Sequence, residues 1–405
     1  MSEDPPLRVL FVDDEASVLD ALQRMLRSMR GAWDMAFVAT PGEALERLQA
    51  AAYDVVVSAL RLPATDGVEF LAQVMERHPS AVRILLTGGA DQAQLLRSVG
   101  TIHQCLTKPC DPDQLKAVIA KVGALKALLT DGRLRQLAGR LTAIPSLPEL
   151  YLRLVNLARK PATTLRQIGE VVARDPGMAA RILQLVNSAF FGLRRDVSKV
   201  EDAVGLLGLE TIQSLVLTTH VFAQLDGVLH SPLSAQELWS HSISVSVLAR
   251  EIAASLGLSR VHIDQSFMAG ILHDVGRVLL AVNLTAEYDQ VMAVSELSGK
   301  SLQACEREAF GATHAELGGY MLGLWGISDA VTAAVAYHHE PQRCIEAAPS
   351  PTTAVHAANG LHHVIIEKRF SEQINAEYLA RLGVSERVRE WGATALALHQ
   401  AGKLT

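Results

Sequence analysis

Hydrophobic and polar positions in residues 1–110 alternate between short apolar runs and amphipathic stretches. Arg8–Val12 is an apolar run that predicts a buried strand, whereas Glu15–Met29 repeats apolar residues with a helical period. Further strands are predicted near Met35–Ala39, Val55–Ser58, Arg83–Leu86 and Gln104–Thr107. This alternation of strand and helix predicts an α/β fold, a five-stranded parallel sheet covered by helices on both faces.

From about Asp111 the strand signals stop, and the rest of the chain predicts an all-α architecture. Asp111–Leu129 is an amphipathic segment that Arg133–Leu141 continues after a glycine. We therefore predict an α/β domain over 1–128, a helical connector over 129–141 and a helical domain over 142–370. Residues 371–405 predict accessory helices at Ala376–Leu382 and Ser385–Gln400.

Length and charge narrow the classes of function. A chain of 405 residues is too long for one ordinary core and predicts two or three domains. The net charge of −6 argues against nucleic acid as a partner, because phosphate binding needs a basic surface. We find no apolar run long enough for a membrane span and no signal-peptide pattern at the N-terminus. Four scattered cysteines without a C-x-x-C pair favour reduced thiols in the cytoplasm.

Polar residues follow three of the predicted strands. Asp13 and Asp14 end the first strand, Thr87 ends the fourth and Lys108 ends the fifth. The carboxyl ends of parallel strands form the usual site of such sheets. Two carboxylates there would collect Mg²⁺, and Lys108 would neutralise a phosphoryl group. Each residue alone is weak evidence, but together the four predict a phosphate-handling site.

These stretches resemble the receiver domains of two-component response regulators. The resemblance covers about residues 7–128 and rests on VLFVDDE, YDVVVSALRLPATDG, RILLTGG and QCLTKP. It implies a flavodoxin-like fold, a Mg²⁺ cofactor and a histidine kinase as partner. It also implies that the third strand carries an aspartate that accepts phosphate, with Thr87 and Lys108 as the residues that respond to it.

The phosphoacceptor position, directly after Ser58, is Ala59. Alanine has no nucleophilic oxygen, so phosphorylation at this position is blocked and the Mg²⁺ site is weakened. Two explanations are open: a natural receiver without a phosphoacceptor, or a substitution that locks the unphosphorylated state. We favour a recent or introduced loss, because Asp13, Asp14, Thr87 and Lys108 are all intact. Cys105 also departs from the family, which often has an aromatic residue there.

Histidines are concentrated in the helical half. They are His241, His273 with Asp274, His314, and the pair His338–His339. Neutral imidazoles together with an aspartate are a ligand set for zinc, manganese or iron. Taken singly, each histidine is better explained as a core or helix-end residue.

The histidine spacing resembles the HD superfamily of metal-dependent phosphohydrolases, and more closely its HDOD branch of output domains. This second resemblance covers about residues 140–345, extending towards 370. It rests on AIPSLPEL, ARDPGMAARILQLVNSAFFG, AVGLLGLETIQSL, AGILHDVGRVLL, THAELGGYMLGLWGI and YHHEP. It implies an all-helical domain that signals without catalysis. Asn359 stands where an HD phosphohydrolase has its last aspartate, and PQRC replaces the Gly-Tyr-Pro element of related phosphodiesterases.

Three functions follow from these two resemblances. The first, which we favour, is a response regulator whose receiver controls a non-catalytic HDOD interaction module. The second is a metal-dependent phosphohydrolase that acts on cyclic dinucleotides, and the third is a scaffold whose receiver only dimerises. We expect a homodimer, a histidine kinase as partner and a downstream partner whose identity the sequence does not give.

Overall fold

The structure is a computed structural model that describes most of the chain. The described residues are 6–63, 65–78, 81–88, 101–108, 110–128, 149–158, 163–186, 197–223, 234–344, 346–368 and 374–404. The chain divides into two compact units, one over Met1–Leu147 with Gly323–Gly326 and one over Pro148–Leu322 and Ile327–Thr405. The predicted connector at 129–141 lies outside the described residues.

The first unit contains the predicted five-stranded parallel sheet. Its strands lie in the order β2-β1-β3-β6-β7, and a short antiparallel hairpin, β4-β5, follows β3. The strands are β1 (Leu7–Val12), β2 (Trp33–Val38), β3 (Val55–Ala59), β4 (Arg61–Leu62), β5 (Thr65–Asp66), β6 (Val82–Gly88) and β7 (Gln104–Lys108). The helices described in this unit are α1 (Ala16–Met25), α2 (Pro41–Ala50), α3 (Gly67–Arg77) and α4 (Pro112–Leu128).

The five predicted strands are confirmed, with no end displaced by more than two residues. The prediction of one helix over Glu15–Met29 was too long, because α1 ends at Met25 and a 3₁₀ turn follows at Arg27–Met29. Central strands β1 and β3 are almost wholly buried, as expected of a sheet covered on both faces. Their parallel register brings the carboxyl ends of β1, β3, β6 and β7 to one edge of the sheet.

The second unit is helical throughout its described residues, as predicted. Its helices are α5 (Glu149–Ala158), α6 (Leu165–Ala173), α7 (Pro176–Val186), α8 (Val200–Leu207), α9 (Leu209–Ala223), α10 (Ala235–Ser255), α11 (Arg260–Leu272), α12 (Val275–Asn283), α13 (Thr285–Ser298), α14 (Leu302–Phe310), α15 (His314–Leu324), α16 (Asp329–Tyr337), α17 (Pro351–Ile365), α18 (Ala376–Arg381) and α19 (Arg387–Gln400). The last two helices correspond to the predicted accessory helices.

Serine side chains fix the starts of the helices that carry most of the histidines. Ser234 accepts a hydrogen bond from the backbone of Glu237 and caps α10, and Ser259 does the same for α11. Ser350 begins α17 with a capping box and is followed by Pro351 at the first helical position. These caps set the register with which the helices present their side chains to the core.

Helices α10, α11, α16 and α17 pack against one another and form the centre of the second unit. A β-carbon at Gly270 of α11 would lie 2.6 Å from the Cα atom of Ser246 on α10, so this crossing requires glycine. The close approach brings the carboxyl end of α11 towards the middle of α10. Within the described residues, no single helix is long and apolar enough to cross a membrane. The bent pair Val200–Leu207 and Leu209–Val221 passes that test on length and composition alone.

Candidate functional site

The first site lies at the carboxyl edge of the sheet. Lys108, at the end of β7, places its Nζ 2.6 Å from Oδ2 of Asp13, which follows β1 and is 1% exposed. The second carboxylate oxygen of Asp13, Oδ1, accepts a hydrogen bond of 3.2 Å from the backbone N–H of Glu15. Both oxygens of Asp13 therefore have hydrogen-bond donors.

The other predicted members of this site are in different environments. Asp14 is exposed, whereas Ala59 at the end of β3 is buried. Thr87, at the end of β6, is buried, and its hydroxyl lies 3.9 Å from the thiol of Cys105 on β7. Burial raises the pKa of the Cys105 thiol to about 11 despite the hydrogen bond from Thr87. Thr87 thus contacts a neutral thiol at the position where the resemblance to receivers implies an aromatic residue.

The second site is a cluster in the helical unit that we call the HD cluster: His241, His273, Asp274, His314, His338 and His339. All of these residues are buried except His339, which is half-buried. Asp274 lies at its centre. Its Oδ1 is 3.2 Å from Nε2 of His314, 3.5 Å from Nε2 of His273 and 4.0 Å from Nε2 of His338. Nε2 of His241 is 3.1 Å from Nε2 of His273, and Nε2 of His339 is 3.1 Å from Nε2 of His314. All six histidine and aspartate residues predicted from the sequence are brought together.

Helix ends position several members of the HD cluster. His273 and Asp274 form the junction between α11 and α12, His314 is the first residue of α15, and His338 follows the last turn of α16. Side chains at helix ends are not confined to one helix face, so ligands from four helices can converge on one point. His241 alone comes from the body of a helix, α10.

Backbone carbonyls orient two of these imidazoles. The Nδ1–H of His273 donates to the carbonyl of Gly270, and that of His338 donates to the carbonyl of Val335, each at 2.7 Å. The Nε2 atom of each ring is therefore a bare lone pair that faces the cluster. Burial lowers the pKa of His273 to about 3 and that of His338 well below its usual value, so both rings are neutral ligands. Nε2 of His338 is buried and has no hydrogen-bond partner among the described residues.

Glu306 holds His314 in place. This fully buried carboxylate of α14 accepts hydrogen bonds from Nδ1 and from the backbone N–H of His314, at 2.7 and 2.8 Å, and from the hydroxyl of Tyr288 at 3.1 Å. Burial acts to lower the pKa of His314, but Glu306 and Asp274 outweigh it and raise that pKa to about 10. Without a metal ion, His314 therefore carries the proton that a cation bound at Nε2 would displace.

Arg277 neutralises the other side of Asp274. Its guanidinium donates to Oδ2 of Asp274 at 3.0 Å, one turn along α12. Burial acts to raise the pKa of Asp274, but His273, Arg277 and His314 hold it well below its usual value. The centre of the cluster is therefore a carboxylate, with Oδ1 directed at the histidines and Oδ2 at an arginine.

Sequence reasoning did not find the residues on the far side of His241. Nδ1 of His241 lies 3.1 Å from Nδ1 of His362 and 3.1 Å from Oε1 of Glu367, and His363 contacts the same carboxylate. The available signal was the spacing His362-His363-x-x-x-Glu367, which places a histidine and a glutamate one helical turn apart. Burial acts to raise the pKa of Glu367, but the hydrogen bonds from His241, His362 and His363 hold it well below its usual value.

Asn359 is buried on α17, and its Oδ1 has no hydrogen-bond partner among the described residues. The sequence identified it as the position where a phosphohydrolase of the HD superfamily has an aspartate. A neutral amide oxygen is a weaker ligand than a carboxylate, so this position supplies less than the superfamily site needs.

In a comparison with known protein families, two parts of the chain match two different families. The family described as response regulator receiver domain matches residues 9–120, and the family described as HDOD domain matches residues 144–341. The chain belongs to the response regulators that join a receiver domain to an HDOD domain. Both resemblances drawn from the sequence, and the fold class predicted from them, are confirmed.

Individual relatives cover parts of this response regulator. An uncharacterised protein of Treponema pallidum is 25% identical over 209 residues, 50% of this chain and 39% of that protein. The hydrogenase transcriptional regulatory protein HoxA of Cupriavidus necator is 30% identical over 183 residues, 42% of this chain and 37% of HoxA. The chain thus spans less than two fifths of the length of either relative.

A solved structure shares the fold of the helical half. An HDOD domain protein of unknown function from Geobacter sulfurreducens aligns with a TM-score of 0.55 and 22% identity. The alignment covers 67% of this chain and 93% of that protein. At this identity the likeness establishes the fold alone.

Proposed function

We propose that this response regulator signals through a non-catalytic HDOD domain in which the HD cluster is a structural metal centre. The observation that carries the proposal is the burial of the cluster. The side chains of His241, His273, Asp274, His314 and His338 are between 0 and 8% exposed. A catalytic metal needs an open position that a substrate phosphate can reach, whereas structural metal sites are closed.

The residues of the HD cluster fit a transition-metal cation. His273 and His338 offer oriented bare Nε2 atoms, Asp274 offers a carboxylate oxygen, and the unpartnered Nε2 of His338 is otherwise a cost of burial. A bound cation would supply a cross-link between four helices. Gly270, Val335 and Glu306 hold the imidazoles in the orientation that this requires.

Metal analysis tests this proposal directly. The full chain, purified without a histidine tag, would be measured by elemental mass spectrometry and by thermal unfolding before and after treatment with a chelator. We expect bound metal and a loss of thermal stability on its removal. The variant His338→Ala should lose the bound metal and the thermal stability that the metal provides. His262→Ala, which changes an exposed residue of α11, should keep both. Wild-type metal content in His338→Ala would overturn the proposal.

In the receiver we propose that Ala59 prevents phosphorylation and weakens Mg²⁺ binding. Alanine supplies neither the oxygen nucleophile that would accept the phosphoryl group nor a carboxylate to join Asp13 and Asp14 in binding Mg²⁺. Lys108 and the backbone of Glu15 already occupy both oxygens of Asp13. Asp14 alone remains exposed as a ligand for Mg²⁺.

Intact mass after incubation with acetyl phosphate and Mg²⁺ tests the receiver. We expect no change for the chain as given and one added phosphoryl group for Ala59→Asp. Ala59→Asn is the matched control, because it has the same shape as aspartate and no nucleophilic carboxylate. If Ala59→Asp also remains unmodified, the domain is a receiver without phosphotransfer, and control by a histidine kinase is excluded.

A metal-dependent phosphohydrolase is the second candidate. It is favoured by the grouping of the five predicted histidines around Asp274 and opposed by the burial of most of the cluster and by Asn359. Hydrolysis of cyclic dinucleotides would be assayed with added Mn²⁺ or Fe²⁺. Turnover that disappears in His273→Ala would replace the non-catalytic proposal with this one.

A scaffold that works only by dimerisation is the third candidate, and it is favoured by Ala59. Size-exclusion chromatography coupled to light scattering distinguishes this scaffold from the first candidate, the receiver-controlled HDOD output. It would be applied to the chain as given and to phosphorylated Ala59→Asp. We expect a homodimer whose mass responds to phosphorylation. An unchanged dimer in both states would favour the scaffold.

A further inference from the structure

A second group of metal-ligating side chains lies beside the HD cluster, on the opposite edge of the His241 ring. We call it the α17 site; it consists of His241, His362, His363 and Glu367. His362 and His363 lie in the last turn of α17, and Glu367 follows two residues after the helix ends. The backbone N–H groups of Ile366 and Glu367 both bond to the carbonyl of His362, so the chain turns back over the helix end.

Three donor atoms of the α17 site form a nearly equilateral triangle. Nδ1 of His241 is 3.1 Å from Nδ1 of His362 and 3.1 Å from Oε1 of Glu367, and the third side measures 3.3 Å. A cation at the usual bond length of about 2.0 Å from each atom fits just off the plane of this triangle. Nδ1 of His363 lies 3.0 Å from the other oxygen of Glu367, where it orients the carboxylate.

Hydrogen bonding alone does not account for this triangle. Each imidazole nitrogen is either a donor or an acceptor, and Oε1 of the ionised Glu367 only accepts. At most two sides of the triangle can be hydrogen bonds at once, because either both nitrogens donate to Oε1 and then face each other as donors, or one nitrogen faces Oε1 with a lone pair. One cation serves all three donor atoms. From this geometry we infer that His241, His362 and Glu367 bind a divalent transition-metal cation of the zinc class, with His363 positioning the carboxylate of Glu367.

Exposure distinguishes the α17 site from the HD cluster. The side chain of Glu367 is 24% exposed and that of His363 is 11% exposed, whereas the members at the core of the HD cluster are almost closed to solvent. A cation can therefore reach the α17 site from the side of Glu367 without opening the helical core. Imidazoles together with one carboxylate suit zinc, which takes nitrogen and oxygen ligands in tetrahedral geometry.

His241 connects the two groups of ligands. Its Nδ1 faces the α17 site and its Nε2 faces His273 and Asp274. A neutral imidazole has one bare nitrogen, so a cation on Nδ1 leaves the proton on Nε2, and His241 is then a ligand of the α17 site and not of a cation in the HD cluster. Occupation of the α17 site thereby fixes the tautomer of His241, with the proton on the nitrogen that faces the HD cluster, Nε2. This coupling rests on the proposed metal centre, whereas the α17 site itself does not.

Zinc stoichiometry of the full chain tests the inference. Chelator-stripped protein would be titrated with Zn²⁺ against a chromogenic chelator, and bound zinc would be counted after desalting. We expect Glu367→Gln and His362→Ala to bind one equivalent less than the wild type, and His262→Ala to bind the same amount. Glu367→Gln preserves the shape of a partly exposed side chain, and circular dichroism would verify that each variant is folded.

Different variants separate the two sites. His338→Ala should lose zinc from the HD cluster alone and Glu367→Gln from the α17 site alone. If Glu367→Gln and His362→Ala both keep the wild-type stoichiometry and affinity, the α17 site is wrong and the buried centre stands. If only His338→Ala keeps them, the buried centre is wrong and the α17 site stands. A wild-type chain that binds no zinc overturns both.

Discussion

Lys108 and Asp13 form a 2.6 Å ion pair across the carboxyl edge of the receiver sheet, although 95 residues separate them in the chain. The resemblance to receiver domains implies that the lysine and the acidic pair face one phosphoacceptor position, and Ala59 occupies that position here. With no carboxylate at that position, Asp13 is the acidic partner of Lys108. The ion pair therefore neutralises a carboxylate that is otherwise buried and would be costly to leave alone.

Replacing Lys108 tests the worth of this ion pair. We expect Lys108→Met to lower the free energy of unfolding by about 1–3 kcal/mol, less than for a fully buried pair because a quarter of the lysine side chain is exposed. Lys116→Met is the control, because its partner Asp113 is 4.0 Å away and 93% exposed. Urea unfolding of both variants measures the difference, and equal losses would contradict it.

Glu306 is predicted to be the most sensitive carboxylate outside the HD cluster. Glu306→Gln removes the charge that orients His314 and replaces an acceptor of three hydrogen bonds with an amide that cannot accept all of them. We expect a loss of about 3 kcal/mol or more in the free energy of unfolding, as for a broken buried ion pair.

Glu308→Gln is the matched control for this measurement. Glu308 lies on the same helix, is 62% exposed and pairs only with the exposed Lys300 among the described contacts. Its loss should cost less than about 1 kcal/mol. Chemical unfolding monitored by circular dichroism compares the two variants, and a small effect of Glu306→Gln would mean that His314 needs no carboxylate.

The sequence predicted those parts of the molecule whose residue pattern has a single physical explanation. Strands β1 and β3 were found because a sheet covered on both faces needs continuous apolar runs. The HD cluster was found because imidazoles and a carboxylate are rare together, and a resemblance supplied their grouping. Composition alone did not place His241, from the middle of α10, beside a helix junction at His273 and Asp274.

The residues that were missed act through positions that only the tertiary structure defines. Glu306 looks like any glutamate of an amphipathic helix until α14 is packed under His314. Arg277 lies three residues after Asp274, a spacing typical of exposed helical pairs, yet here the carboxylate that it pairs with is buried. Glu367 lies beyond the end of α17, so no helical periodicity places it against His241.

Gly276 is predicted to be indispensable for the HD cluster. A β-carbon there would lie 1.9 Å from the carbonyl oxygen of His314 and 3.0 Å from the backbone nitrogen of Gly318. Backbone atoms cannot move aside as a flexible side chain can, so Gly276→Ala should push α15 away from α12. Displacing His314 in this way breaks its contact with the carboxylate of Asp274 and removes one ligand from the HD cluster.

Thermal unfolding and metal content of Gly276→Ala measure this effect. We expect a loss of about 2 kcal/mol or more in stability, typical of overpacking, together with reduced metal content. Gly205→Ala is the control: it lies inside α8 with no atom within 4 Å of an added β-carbon, and should stabilise the chain by about 0.5–1 kcal/mol. Wild-type behaviour of Gly276→Ala would show that the two helices can separate without disturbing the site.

The reactivity of Cys105 should reflect its burial beside Thr87. Burial raises the pKa of this thiol from 9.0 to about 11, so below pH 9 almost none of it is the reactive thiolate. Alkylation with iodoacetamide, followed residue by residue by peptide mass spectrometry, should be much slower at Cys105 than in the urea-unfolded chain. The native rate should rise steeply between pH 9 and 11.

Stability should follow the same titration. The thiol pKa is higher in the folded chain than in the unfolded chain, so protons leave the unfolded state first as pH rises. The stabilisation is complete below the unfolded pKa of 9.0 and declines as pH rises towards 11. The difference in free energy of unfolding between the wild type and Cys105→Ala should therefore shrink over that interval. A constant difference would mean that Cys105 ionises with the same pKa in both states and that Thr87 faces an ordinary exposed thiol.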